Sequence, residues 1–138
     1  MTDPSSYWSP VCKVVSQLRC WCRMGVHDED SSWASEWGML LTIPVQGYLE
    51  GPCGPIPFRH VEWVELSTLQ LKGAGSPIVI TGFVDITDEL LSRVRGLTIA
   101  WDLRHITWSI DRWFDDVPVQ VVHIPNPFGP SAQSIRSE

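Results

Sequence analysis

Apolar positions recur at Trp8, Val11, Val14, Val15, Leu18, Trp21 and Cys22, spacings of three and four that suit one face of an amphipathic helix. Ser9 has an N-cap side chain, Pro10 fits the first helical position, and Gly25 stands where the helix would stop. The next stretch, VHDEDSSWASEWG from Val26 to Gly38, is polar and serine-rich and reads as a loop or a short helical turn. GMLLTIPV, Gly38 to Val45, reads as a buried strand. GYLEGPCGPIP then places three glycines and three prolines in eleven residues, which argues against regular structure. FRHVEWVEL, Phe58 to Leu66, is a strand candidate. Phe58, His60, Glu62, Val64 and Leu66 would share one face, and Arg59, Val61, Trp63 and Glu65 the other. Neither face is purely apolar, so both are expected to be partly covered.

KGAGSP reads as a turn and IVITGFV as a short β-branched strand. DITDELLSRVRG carries the strongest helix signal. Asp85 and Asp88 have the spacing of a capping box, Leu90, Leu91 and Val94 are spaced for burial, and Gly96 closes the run. LTIAWDLRHITWSIDRWF fits a helical stripe but also alternates through ITWSID; its Ile, Thr and Trp content favours two strands meeting near Arg104 and His105. VPVQVVHIP, with prolines at its ends, fits an edge strand. The expected fold is α+β: a small, mainly antiparallel sheet of four to six strands with two helices packed on one face. It forms one domain over 1–125, followed by a flexible Pro/Ser-rich tail over 126–138.

The 138 residues suffice for one domain with a real core, and 43 % hydrophobic against 19 % charged residues is a globular balance. Ten basic against sixteen acidic side chains give a net charge of −6. That sign disfavours nucleic acid as partner, where affinity comes from Lys and Arg neutralising phosphates, and suits a basic protein. No run of apolar residues is long enough for a membrane span, and MTDPSSYW lacks a basic segment leading into an apolar one. The expectation is a cytoplasmic protein with free thiols and no membrane partner.

Four cysteines and four histidines raise the question of metal. Cys12, Cys20, Cys22 and His27 form the tightest group, but the paired knuckle spacing of structural zinc sites is missing. On a helix, Cys20 and Cys22 would also point apart. Buried small side chains are the expectation, with no metal and no cofactor. Cys53, on a turn with His60 seven residues on, is the best candidate for a reactive thiol. Nucleophile-elbow, phosphate-loop and H-E-x-x-H motifs are absent. A cysteine enzyme using Cys53 with a histidine base, or a small metal-binding module, therefore stand as alternatives to a protein without catalytic activity.

The remaining signal mixes acids with aromatics. Asp28, Glu29 and Asp30 are contiguous, followed by Trp33, Glu36 and Trp37; Asp111, Trp113, Asp115 and Asp116 repeat the theme. Contiguous acids share one environment, which suits solvated or partner-facing surface better than acid–base catalysis. Trp33 and Trp37, four apart, would share a face if helical. Eight tryptophans serve a core as readily as an interface, and both readings stay open.

The Trp33-x3-Trp37 element, the Val61-Glu62-Trp63 strand and the capped Asp85-to-Gly96 helix, within residues 33 to 114, resemble small bacterial proteins of the toxin-immunity type. The resemblance implies no catalytic residue. It implies an immunity protein or antitoxin that neutralises a basic toxin domain by direct binding and occlusion. Asp28, Glu29, Asp30, Trp33, Glu36 and Trp37, or Asp111, Trp113, Asp115 and Asp116, would supply the contact.

Overall fold

A computed structural model of the chain describes residues 3–73, 80–110 and 114–130. The first helix, α1 (Pro4–Leu18), starts earlier than Ser9: the Asp3 carboxylate accepts from the Ser6 N–H at 2.8 Å, and Pro4 takes the opening position. Ser9–Pro10 imitates that signal from inside the helix. Burial of Tyr7 and Trp8 carries the helix through Pro10 despite its missing N–H. The helix ends well before Gly25. Arg19 is left-handed (φ 52°, ψ 45°), and Gln70 Nε2 donates to the Leu18 and Arg19 carbonyls at 3.0 and 3.1 Å.

Cys22 to Asp28, expected partly as helix and partly as loop, form strand β1, which turns back through a tight hairpin into β2 (Ser31–Ala34). Gly38–Val45 is not a buried strand. It touches its neighbours through the single bridges Cys22↔Gly38 and Thr42↔Glu50; Leu41 is buried, whereas Met39, Leu40 and Val45 are exposed. The Gly/Pro-rich stretch does form regular structure, a hairpin of β3 (Tyr48–Gly51) and β4 (Gly54–Pro57). Pro52 and Cys53 make its turn, and Gly54 supplies a positive φ of 96°. The Phe58 N–H donates to the Gly47 carbonyl, so by alternation Pro55 and Pro57 occupy positions whose nitrogen faces away from β3.

A single 3₁₀ turn, Phe58–His60, replaces the expected start of the next strand, β5 (Val61–Ser67). Its pairing with β1 slips between Gly25↔Trp63 and Val26↔Val61, leaving Glu62 as the extra residue of a bulge. The slip moves Val61 into the core with Val64 and Leu66, so the expected two-face division fails at that residue. Strands β6 (Leu69–Gly73) and β7 (Ile80–Asp85) pair as a separate ribbon and lead into α2 (Thr87–Arg95). The Asp85 carboxylate accepts from the Thr87 N–H at 2.9 Å and from its hydroxyl, which holds its pKa below the usual carboxylate range. Leu90 and Val94 are fully buried, as their spacing predicts, and Gly96 is the C-cap.

The ambiguous segment forms one strand, β8 (Asp102–Ile110), with Arg104 and His105 in its interior rather than at a junction. Strand β9 (Phe114–Pro125) is not an edge strand: the antiparallel sheet runs β2-β1-β5-β9-β8. Pro118 is tolerated because β5 accompanies β9 only from Val121 to Pro125. The architecture is thus α+β: the described residues form a five-stranded antiparallel sheet, two two-stranded ribbons and two helices.

Both helices feed the core on one sheet face, where Trp8, Val11 and Val15 of α1 and Leu90 and Val94 of α2 meet Met24, Val64, Leu66, Val122 and Ile124. The helices are also joined by Arg93 Nη1 donating to Gln17 Oε1 at 2.6 Å. Residues 126–130, placed by the sequence at the start of a tail, fold back onto this core. Buried Asn126 accepts from Trp8 Nε1 at 3.2 Å and donates to the Phe58 and Val61 carbonyls at 2.8 and 2.7 Å; Phe128 packs edge-on against Tyr7. The rest of the expected tail, 131–138, lies outside the described residues. No described helix is long and apolar enough to cross a membrane.

Candidate protein-binding face

The opposite face of the sheet carries the chain's polar chemistry. Register aligns Arg23 with Glu65 and Glu65 with His123 across β1, β5 and β9. Directly opposed residues share a face, so the three side chains meet. Arg23 Nη2 and Nε both lie 2.9 Å from Glu65 Oε1, and His123 Nδ1 lies 2.8 Å from Oε2. The Glu65 and His123 side chains are only 5 % and 7 % exposed. The Arg23 guanidinium carbon stands 5.1 Å from the Trp37 ring centre and 5.4 Å from that of Trp63, and the Trp63 ring tilts over His123 at 5.4 Å. Both Glu65 oxygens are engaged and His123 is covered, so this network is a scaffold rather than a seat for substrate.

Gly25 explains how Trp63 reaches this position: a Cβ there would overlap the indole. Beyond Trp37 the aromatic packing continues, with Trp108 5.1 Å from Trp37 and 6.4 Å from Trp21 in edge-on geometry. The buried indole nitrogens of Trp21 and Trp108 find no acceptor among the described residues.

The residues singled out from the sequence distribute unequally over this frame. Asp28, Glu29 and Asp30 form the tip of the β1–β2 hairpin, with Glu29 left-handed at φ 43°. His27 Nδ1 and Ser32 Oγ tie the two strands just behind the tip. Trp33 lies on β2, an edge strand of the sheet, and is 40 % exposed; Glu36 is exposed on the segment that follows. Trp37 turns inward to stack on Arg23 and Trp108, so the two tryptophans do not share a helical face. Asp111 and Trp113 lie outside the described residues. Asp115 and Asp116 belong to the start of β9, and nothing further is described of their side chains. The register puts that start beyond the Ser67 end of β5, whereas the Asp28 tip lies beyond its Val61 end.

A groove of about 340 Å³ opens at the β2 edge of the sheet, lined by Gly25, Val26, Ser32, Trp33, Ala34, Glu62 and Trp63. Sequence reasoning used Glu62 and Trp63 only as a strand motif and missed Arg23, Gly25, Glu65 and His123 as a group. Their signal was the mixed character of both strand faces in FRHVEWVEL, which register alone resolves.

The thiols point away from nucleophilic chemistry. Burial pushes Cys12 and Cys20 up to about 12; Cys22 is raised by burial and further by its neighbouring thiols. Cys20 and Cys22 donate to the Ser67 and Leu40 carbonyls at 3.4 Å. Neither lies on a helix, so the expected helical separation is not what keeps them from a shared ion. Among the described residues no group of three or more His, Cys, Asp or Glu is placed to hold a metal ion. Cys53 is exposed on the β3–β4 turn, yet burial raises its thiol too, the reverse of what an activated nucleophile needs. No family model, curated protein or solved structure matches the chain.

Proposed function

We propose that this chain is a non-enzymatic protein-binding module that acts as an immunity protein or antitoxin, neutralising a basic toxin domain by occlusion. The observation that supports it is the β1–β2 hairpin, an outermost ribbon with three acids at its tip and an exposed tryptophan on its edge strand. Long-range attraction from the acids speeds encounter with a basic surface, and a tryptophan beside them desolvates the contact centre. The net charge of −6 acts in the same direction. The Arg23–Glu65–His123 network fixes Trp37 and Trp63 behind the hairpin, so less freedom is lost on binding.

The test is affinity capture of the tagged chain from its native cells with mass spectrometry. Titration of the captured partner against the parent and the Asp28→Lys/Glu29→Lys/Asp30→Lys variant follows. A stoichiometric basic partner whose affinity and salt dependence both fall in the variant supports the reading. Unchanged affinity removes the hairpin tip from it. A folded chain that captures nothing, and protects against no co-encoded toxin, ends it.

A further inference from the structure

The sheet ends on an open edge. Strand β8 is nine residues long and pairs with β9 on one side; among the described residues nothing pairs with its other side. Asp102, Leu103, Arg104 and His105 are all exposed, and Leu103 keeps 38 % of its surface in solvent. Such an edge offers its main-chain N–H and C=O groups to any strand that matches it, and natural sheets guard it with a proline or a bulge. Residues 102 to 107 have neither, since the register shift of β8 against β9 comes later, between Trp108 and Ile110.

The hydrogen-bond phase shows which groups point outward. Thr68, just past β5, donates through its N–H and its hydroxyl to the Gln120 carbonyl, and the Asn126 N–H donates to the Glu62 carbonyl. Even-numbered residues of β9 from Gln120 on therefore turn their main chain toward β5. Gln120 lies opposite His105 and Val122 opposite Leu103, so the N–H and C=O groups of His105 and Leu103 face away from β9, into the open edge.

A second copy of the same strand matches this edge. Antiparallel pairing about a two-fold axis through Leu103 sets Leu103 against Leu103, with their outward groups bonded to each other. The same register sets Asp102 of each copy opposite Arg104 of the other, whereas centring one residue further on opposes Arg104 to Arg104. Asp102 and Arg104 already pair at 3.3 Å within one chain, with side chains 57 % and 52 % exposed, and a second copy extends this to four alternating charges. At such exposure the charges select the register, while the main-chain bonds and the covered Leu103 pair hold it. The helices stop short of this edge: they cover Met24, Val64, Leu66, Val122 and Ile124 but leave Leu103, on the same face as Val122, exposed.

We infer that the chain self-associates through β8, two copies forming one continuous antiparallel sheet with five strands from each. The β1–β2 hairpins then stand at its two far ends. This association goes beyond the proposed function and holds whether or not the chain meets a basic partner.

The test is sedimentation equilibrium of the full chain over rising concentration. The mass should climb from monomer toward dimer, and amide hydrogen exchange at Leu103 and His105 should slow with it. Leu103→Pro removes an outward N–H and leaves the β9 ladder intact, so it should stay monomeric with an unchanged circular dichroism spectrum. Asp102→Arg and Arg104→Asp each set like charges opposite one another and should each weaken association roughly tenfold. Mixed in equal amounts, these two variants should associate as tightly as the parent, because each then meets its opposite; a misfolded variant could not do so. A monomer at every concentration up to about 1 mM overturns the β8 interface, including one whose Leu103 and His105 amides are protected only by a captured partner. So does a dimer that Leu103→Pro leaves intact, or a pair of charge variants that fail to rescue one another on mixing.

Discussion

The Trp63 indole lies so close over Gly25 that no side chain fits between ring and strand. The glycine is needed for this approach rather than for an unusual backbone angle. Gly25→Ala must push the ring away and loosen the stack over Arg23 and His123. Overpacking of this kind costs roughly 1–3 kcal/mol, read as a lower urea midpoint with an unchanged slope. Trp63→Leu in the Gly25→Ala background should recover part of that loss. A double-mutant cycle in which the two costs simply add would show that the contact does not limit stability.

Glu65 joins two groups that have no other ionic partner in this network. Glu65→Ala leaves Arg23 and His123 beside each other without the carboxylate. The expected loss is roughly 2–4 kcal/mol, below the range for fully buried pairs because the Arg23 side chain is 26 % exposed. Replacing the Arg23–Glu65 pair with apolar groups, Arg23→Met with Glu65→Leu, should cost less than the single change, His123 losing its acceptor in both. Chemical denaturation of the three chains checks the order. If the double variant is the least stable, the network contributes more to folding than its desolvation removes.

How far the sequence could be read depended on whether a signal was local. The α2 segment was legible because Asp85, the buried Leu90 and Val94 and the Gly96 stop lie within twelve residues, although the expected Asp85–Asp88 capping box does not form: Ile86 is the N-cap, and Asp85 accepts from Thr87 instead. The start of α1 was not, because Ser9–Pro10 carries the same signal as Asp3–Pro4 and only the packing of Tyr7 and Trp8 against Phe128 and Asn126, more than a hundred residues away, decides between them. Cys22 to Gly25 fell within the expected helix yet became strand, since β5 offered a pairing edge that no window around Gly25 contains. The candidate site divides likewise. Acids and Trp33 at the hairpin were visible as composition, whereas the Arg23–Glu65–His123 row exists only through register and the bulge at Gly25.

The thiols give a prediction with a definite sign. Burial raises Cys12 and Cys20 to about 12 in the folded chain, above the unfolded value near 8.5. A folded-state pKa above the unfolded one means that the stabilisation is fully present below about pH 8.5 and is lost as pH rises toward 12. Thermal melts should therefore fall with increasing pH above about 9, and Cys20→Ala should flatten that limb. At pH 8, iodoacetamide should modify exposed Cys53 first and slowly, and reach Cys20 and Cys22 only after denaturation, as peptide mass mapping would record. Rapid modification of native Cys53 well below pH 8 would contradict its raised thiol and revive the cysteine-enzyme alternative.

Glu29 separates folding from binding most cleanly. It holds φ 43° at the first position of the two-residue turn between Asp28 and Ser31, a region that glycine enters freely and a glutamate does not. Glu29→Gly should relieve this conformation and raise stability by roughly 0.5–1 kcal/mol, seen as a higher melting temperature. The same change removes one of three acids at the hairpin tip. If the tip meets a basic partner, the more stable variant should associate more slowly and with a weaker dependence on salt. Measured association rates for Glu29→Gly and Glu29→Gln resolve the two contributions, because glutamine removes the charge and keeps the strained turn. Equal slowing in both assigns the effect to charge. Slowing in glycine alone assigns it to the shape of the turn, and unchanged rates in both exclude Glu29 from the contact.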